Sequence, residues 1–425
     1  MKKLDLTPDF ISALNLMEDS QDCIFLTGNA GTGKSTLLSY FRETTNKCIV
    51  VLAPTGIAAL NVKGETIHSF FKFKPNISVE AAHKKGARLK NTHLFESIDA
   101  IVIDEISMVR ADMLDCIDVF LRAVLKTNRP FGGKQIIMIG DLHQLPPVVT
   151  PTEKKFFTDI YDSPYFFSAE VCKDSDFFMH SIKLTKIYRQ EDHDFIDILN
   201  GIRHNAVTRD QLDLLNTRVE SGNNFPGPGH IYLTTTNANA ERLNAKKLDS
   251  LAEERIILHA EKGGKFDAKV APTDTELQLK VGAQVMFLNN DSSGRWVNGT
   301  IGHVIDINGV DETVHVQIVD GKRVVVTPHK WTVYNYVYDE STQLIEQKSA
   351  GSFRQFPLKL AWAMTIHKSQ GKTFDSVVVD LGYGAFASGQ VYVAFSRCTR
   401  LDGLILKSPL RKNQIVLDPR VCDFV

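Results

Sequence analysis

The chain has 425 residues, enough for roughly two to four domains. With 43% hydrophobic and 23% charged residues it has the composition of a folded protein with a real core, which excludes a disordered acidic tail, a collagen-like repeat and a disulfide-stapled miniprotein. Lys and Arg number 49 against 50 Asp and Glu, a net charge of −1, so phosphate or nucleic-acid binding has to rest on local placement of charge.

Met1–Pro8 meets acidic and turn residues too early for a secretory signal, and no apolar run is long enough to span a bilayer. The cysteines (Cys23, Cys48, Cys116, Cys172, Cys398, Cys422) show no CxxC or zinc spacing. A cytosolic or nuclear protein with reduced thiols is expected.

Along the chain, Cys23-Ile24-Phe25-Leu26 reads as a short apolar strand closed by Gly28, with a helical stretch from Ser35 to Glu43 after it. Cys48 to Ala53 is a second strand, broken at Pro54-Thr55-Gly56. Ala100-Ile101-Val102-Ile103 ends in Asp104-Glu105, and Gln135 to Ile139 ends in Gly140-Asp141. Apolar strands without alternation, separated by helical stretches, predict a parallel sheet covered on both faces, with function at the carboxyl ends of the strands. The second half offers Ile231–Thr234, Val285–Leu288, Val377–Asp380 and Val391–Ala394 as further buried strands. Short alternating strands between about 302 and 353 predict a small inserted β-barrel. The stretch 72–95 lacks a clear period, carries Lys84, Lys85, Arg88 and Lys90, and reads as a protrusion from the first domain.

Gly28-Asn29-Ala30-Gly31-Thr32-Gly33-Lys34-Ser35 fits GxxxxGK[ST]. Glycines let such a loop curl its N–H groups around a phosphate, Lys34 reaches the β/γ-phosphates, and the Ser35 hydroxyl binds Mg²⁺. Asp104 suits Mg²⁺ ligation, either directly or through a metal-bound water, and Glu105 can polarise the attacking water. No NKxD-like base-reading loop of a GTPase is present. Gln144 is placed to contact the γ-phosphate or the attacking water, and His143 offers an aromatic face to a base. Arg189 and Arg397, far along the chain, are candidates to complete the site from a facing domain.

Together these segments resemble the superfamily 1B DNA helicases, and within them the Pif family. The resemblance runs from Gly28 to Arg397. It includes Ala53–Ala59, His68-Ser69-Phe70-Phe71, Asp104–Met108, Gly140–Pro147, Tyr188-Arg189-Gln190, Asn298-Gly299-Thr300, Thr365–Gly371 and Ala394-Phe395-Ser396-Arg397. The stretch Asp115 to Lys134 looks like the segment that separates this family from its RecD and Dda relatives. The resemblance implies an α/β fold of two RecA-like P-loop NTPase domains, at 1–71 with 96–183 and at 184–301 with 354–425. A wedge insert (72–95) would belong to the first and an SH3-like β-barrel insert (302–353) to the second. It implies ATP and Mg²⁺ in the cleft, with Thr36 and Gly371 added to the nucleotide set, and 5′→3′ movement on single-stranded DNA in replication, repair and recombination. Phe10 takes the place of the family's adenine-reading glutamine, which leaves base selectivity open.

A strand held without a long-range field needs short-range hydroxyls, amides and stacking platforms. The candidates are Pro54, Thr55, His68, Ser69, Phe70 and His143 from the first half, and Thr235, Asn237, Thr365, His367, Lys368 and Ser369 from the second. Expected partners are single-stranded DNA and tailed or forked duplex, with RNA–DNA hybrids and quadruplexes as further candidates, for a monomer without membrane association. The alternative is a nucleic-acid-stimulated ATPase that binds or remodels DNA or RNA without processive unwinding.

Overall fold

The computed structural model describes residues 6–150, 153–190, 192–220, 229–382, 384 and 387–424; residues 1–5, part of the stretch read against a secretory signal, lie outside them. Six strands form the first sheet: Cys23–Gly28 (β1), Ile49–Ala53 (β2), Glu65–Thr66 (β3), Ala100–Ile103 (β4), Gln135–Ile139 (β5) and Met179–Leu184 (β6). They lie in the order β3-β2-β4-β5-β1-β6, and every pairing is parallel. β1, β4 and β5 are buried residue by residue, because helices cover both faces. Phe25, Ile101, Ile103 and Met138 face one core with the helix Ala111–Leu125. Ile24, Leu26, Val102 and Ile139 face the other, with the helices Pro8–Asp19 and Lys34–Thr44.

The chain continues through Ile231–Thr234 (β7), Ile256–His259 (β8), Glu261–Gly264 (β9), Glu276–Leu279 (β10), Gln284–Phe287 (β11), Ile301–Asn308 (β12) and Thr313–Ile318 (β13). Arg323–Val326 (β14), His329–Asp339 (β15), Leu344–Gln355 (β16), Leu358–Leu360 (β17), Ala363–Thr365 (β18), Val377–Asp380 (β19) and Leu404–Leu406 (β20) follow. A second parallel sheet runs β18-β7-β19-β20. The strands between are antiparallel: a five-stranded sheet β14-β13-β12-β11-β17, a three-stranded sheet β15-β16-β9 and the pair β10-β8.

Two readings of the sequence need correction. Val285–Leu288, taken for a strand of the second parallel sheet, overlaps β11 in the antiparallel sheet, where Val285 pairs with Gly302 and Leu360; the small sheet thus reaches beyond the 302–353 expected for the insert. Val391–Ala394 is helical, within Gln390–Phe395, every residue of which is buried. A short, wholly apolar run has the same pattern as a buried strand, and only its surroundings decide between them. The stretch 72–95, read as a protrusion from the first domain, packs along one side on that lobe. Its helix Val79–Ala87 lies so close to Ala111–Leu125 that a Cβ on Gly86 would stand 2.6 Å from the Phe120 carbonyl oxygen. Phe73, Ala82 and Phe95 join the first core, while Lys84 and Lys85 face outward and Lys84 pairs with Glu80.

The segment Asp115 to Lys134 acts as a staple. Asp115 accepts from Tyr161 Oη (2.9 Å) and from the amides of Glu170 and Val171 (3.0 Å each). Asp118 accepts from the Phe131 amide (2.6 Å) and pairs with Arg122.

The β15–β16 hairpin reaches back to the first lobe. Tyr336 enters its core and its hydroxyl accepts from the Val51 amide (3.0 Å), while the Tyr336 amide donates to Glu65 (3.1 Å). Tyr336→Phe leaves the buried Val51 N–H without its acceptor, an expected cost of about 1–3 kcal/mol. This is measurable as a lower urea midpoint; an unchanged midpoint would show that the hydroxyl is dispensable to the docking.

Candidate nucleotide and nucleic-acid site

Strand order places the carboxyl ends of β4, β5 and β1 side by side, so Asp104-Glu105, Gly140-Asp141 and the loop Gly28–Ser35 meet at one edge, as parallel sheets favour. Gly31 and Gly33 adopt φ of +85° and +87°, open to glycine at little cost. The loop closes on its own lysine: Lys34 Nζ donates to the carbonyls of Gly28 (2.8 Å) and Asn29 (3.0 Å). Thr32 Oγ1 donates to the Asn29 carbonyl (2.9 Å). Burial lowers the Lys34 pKa against the opposing pull of Asp141 and Glu105. Ser35 and Thr36 stand exposed at the start of the helix, where N–H groups and the helix dipole favour an anion.

Glu105 sits in the left-handed region (φ 53°, ψ 44°), an unusual place for a non-glycine residue and one that clusters at functional sites. Its Oε2 accepts from Gln370 Nε2 (3.2 Å). Enclosure in the cleft and the neighbouring Asp104 push its pKa up to about 7, against Lys34 and Arg397; burial also raises Asp104. Among the described residues no group of three or more His, Cys, Asp or Glu could hold a metal by itself. The exposed Ser35 hydroxyl and the Asp104 carboxylate are hard oxygen donors at the cradle's edge. They suit Mg²⁺, which keeps waters and binds through one or two protein groups plus substrate phosphates.

The second lobe reaches the cradle directly. The Tyr188 amide donates to the Gly31 carbonyl (2.9 Å), and a Cβ on Gly31 would lie 2.4 Å from Arg189 Cβ. Arg189 Nη1 donates to the Ser396 carbonyl (3.4 Å). Arg397 is 1% exposed, its guanidinium donating to the carbonyls of Val393, Ser369 and Lys372 and to Ser396 Oγ. Burial and Arg189 push its pKa down to about 9, while Tyr392, Glu105 and Asp141 oppose the shift. Gln144 donates to Asp141 Oδ2 (3.3 Å). Gly371, at φ +78°, faces open space.

Several expected nucleic-acid residues are turned elsewhere. Phe70 is 4% exposed, its ring packed on Phe71, Phe95 and Tyr336 with centroids 4.9, 5.5 and 6.0 Å away; it is core and presents no face to a base. His143 is 2% exposed and packs edge-on against His204 (5.1 Å), so it is no stacking platform either. Thr365 and Ser369 are buried. Their hydroxyls shape the turn, Thr365 Oγ1 accepting from the Lys368 amide and Ser369 Oγ donating to the Ile366 carbonyl. That turn presents an exposed Lys368 and a half-buried His367. Because β18 pairs with β7 in parallel register, Thr365 beside Thr234, His367 and Lys368 lie at the same sheet end as Thr235 and the exposed Asn237. In the first lobe, half-buried Pro54 and exposed Thr55 follow β2, Thr55 capping the next helix. His68 is half-buried, and Ser69 donates to Glu65 (2.6 Å). Phe10, at the family's glutamine position, is 3% exposed and packed beside Tyr40 in the core rather than on a base.

Sequence reasoning missed Gln370, Tyr392 and Arg203. Tyr392 Oη accepts from the Ala30 amide of the cradle (3.1 Å). Arg203 pairs with Asp141 (3.0 Å). A signal existed for it: Phe195, Ile198, Leu199 and Ile202 trace the buried stripe of the helix His193–Arg203, and Arg203 continues that stripe. A charge on a buried face implies a partner.

With this geometry in place, the sequence compares directly with known proteins. The PIF1-like helicase family profile matches residues 10–212, and the ATP-dependent DNA helicase Pif1 of Bdellovibrio bacteriovorus is 33% identical over 99% of this chain and 92% of its own length. The chain belongs to the PIF1-like helicase family. The human ATP-dependent DNA helicase PIF1 is 34% identical over 94% of this chain, which spans 60% of that longer protein. A Bacteroides Pif1 structure in complex with ADP-AlF4 superposes with a TM-score of 0.90 at 38% identity, covering 99% of this chain and 96% of its own. Bacteroides Pif1 bound to single-stranded DNA, with the same identity and coverage, gives 0.68. The structure described here thus superposes more closely on the Bacteroides complex with ADP-AlF4 than on the one with single-stranded DNA.

A carboxylate with its pKa near 7 accepts a proton only above that pH. kcat/KM for ATP, which reports the free enzyme, is expected to fall about tenfold per pH unit on the acid side of roughly pH 7. A profile flat down to about pH 5.5 would remove Glu105 as the group that activates water.

Proposed function

We propose that this chain is an ATP-dependent DNA helicase that moves 5′ to 3′ on single-stranded DNA and parts tailed or forked duplex, acting as a monomer with Mg²⁺-bound ATP. The observation that carries the reading is one short turn, residues 365–372. It presents an exposed Lys368 beside a half-buried His367, places Gln370 on Glu105 (3.2 Å), and holds Arg397 through the Ser369 and Lys372 carbonyls (3.4 and 3.1 Å). A strand pressing on that turn acts through a few bonds on the group that activates water and on a cation that meets phosphate charge.

In this reading Lys34 would exchange the Gly28 and Asn29 carbonyls for the β/γ-phosphates, and Ser35 and Asp104 would hold Mg²⁺. Mg²⁺, when bound, neutralises charge on the phosphate oxygens. Glu105 takes the proton from the attacking water, and Gln144 reports whether the γ-phosphate is present. Arg189 and Arg397 stabilise the transferring phosphoryl and draw the lobes together; its loss lets them part, and alternating grip on the strand turns that cycle into movement.

Turnover with and without single-stranded DNA, followed by unwinding of duplexes carrying a 5′ or a 3′ tail, tests this. Strong stimulation and strand separation from the 5′ tail are expected; stimulation without separation from either tail would leave a remodelling ATPase. Arg189→Ala and Arg397→Ala are each expected to lower kcat by about 10³ while KM for ATP moves only a few-fold. Unchanged turnover in both variants would remove these arginines from the reaction.

A further inference from the structure

Asn29, the second residue of the cradle, points its side chain out of the loop and into the second lobe. Its Nδ2 donates to Asn200 Oδ1 (3.0 Å), and its Oδ1 accepts from Arg203 Nη1. The other arm of the same guanidinium, Nη2, donates to Asp141 Oδ1 (3.0 Å), with the two side chains 1% and 0% exposed. Asp141 also accepts from the His143 amide (3.1 Å) and the Gln144 side chain (3.3 Å). Although burial acts the other way, Arg203, His143 and Lys34 keep the Asp141 carboxyl far below its usual range, so the pair is charged.

One planar fork therefore holds two separate segments of the first lobe, the glycine-rich loop and the turn that carries Gln144. A lysine, a point charge on a flexible stem, cannot span both. Arg203 and Asn200 are three residues apart on one helix and share a face, so any shift of that helix reaches both segments together. A fully desolvated ion pair stabilises a fold little beyond what apolar residues would. Registry between the lobes is the use that fits this one.

We propose that Arg203 is a positioning residue that carries the position of the second lobe to the cradle, so that engagement of single-stranded DNA sets the rate of ATP turnover. It acts through Asn29 and Asp141 and touches no substrate. This inference rests on the motor reading above.

The test compares wild type with Arg203→Lys, which retains a cation beside Asp141 and loses the reach to Asn29. Four quantities are measured: kcat and KM for ATP, the ratio of turnover with saturating oligo(dT) to turnover without it, oligo(dT) affinity by anisotropy, and the thermal midpoint. The ratio is expected to fall at least fivefold, with KM and affinity within about twofold and the midpoint retained. An unchanged ratio, or a fall matched by lost affinity or a lowered midpoint, would overturn the proposal. Should the lysine variant not fold, Asn29→Ala cuts the same bridge from the loop side. It is expected to lower the ratio with affinity for oligo(dT) retained; a wild-type ratio there would also overturn the proposal. A wild-type chain that oligo(dT) does not stimulate would fail in the first arm, and the motor reading would fall before the bridge is tested.

Discussion

A triphosphate brings several negative charges to a loop whose single lysine is already turned onto two of the loop's own carbonyls. In the proposed reaction Mg²⁺ and, from the other side of the cleft, Arg189 and Arg397 would supply the remaining positive charge; the chain as a whole, with a net charge of −1, has no general positive field to add. Asn29, Ala30 and Gly31 are each gripped by residues of the second lobe, the lobe that carries Arg189 and Arg397. Interactions between charges weaken with distance and with water, so a cleft held open a few ångströms too wide would lose them.

Much of this was legible beforehand, for identifiable reasons. The four buried strands of the first sheet end abruptly in chemistry (Gly28, Pro54, Asp104 and Gly140) because a parallel sheet hides its sides and exposes only its ends. The glycine-rich loop has a fixed spacing set by its phosphate. Illegible features are those in which burial comes without a period. Val391–Ala394 is helical yet buried on every side, and Val285 belongs to a central antiparallel strand flanked by β12 and β17, so both mimic a strand of a parallel sheet. Phe70, Thr365 and Ser369 sit among residues that face the expected strand path, yet local spacing cannot tell a side chain that points out from one that builds the turn beneath it. Arg203 shows the reverse case: a charge within an apolar stripe carried information that composition and motif spacing did not use.

Near-neutral charge also shapes how nucleic acid can be held. Tight polyanion binding through many lysines releases counterions and is steeply salt-dependent. Here the residues at the strand ends (Thr55, Thr235, Asn237, His367) are mostly uncharged, and the basic cluster on the helix Val79–Ala87 spends Lys84 on Glu80. A grip of the proposed kind, built from hydroxyls, amides and a few cations, would be short in range and easily released, as repeated movement along a strand requires.

Tyr336 lies in the first lobe's core although 285 positions separate it from the Val51 amide it binds, and Phe424 stacks on Phe167 with centroids 4.4 Å apart while packing on Phe25. The amino-terminal half therefore cannot finish its interior from its own residues. During synthesis its sheet would form early, with an apolar socket left open until the hairpin and the helix Pro419–Phe424 leave the ribosome. Such an intermediate exposes sticky surface for as long as translation takes, and severing the polypeptide between the two sheets would leave a fragment carrying every phosphate-loop residue and an unclosed interior.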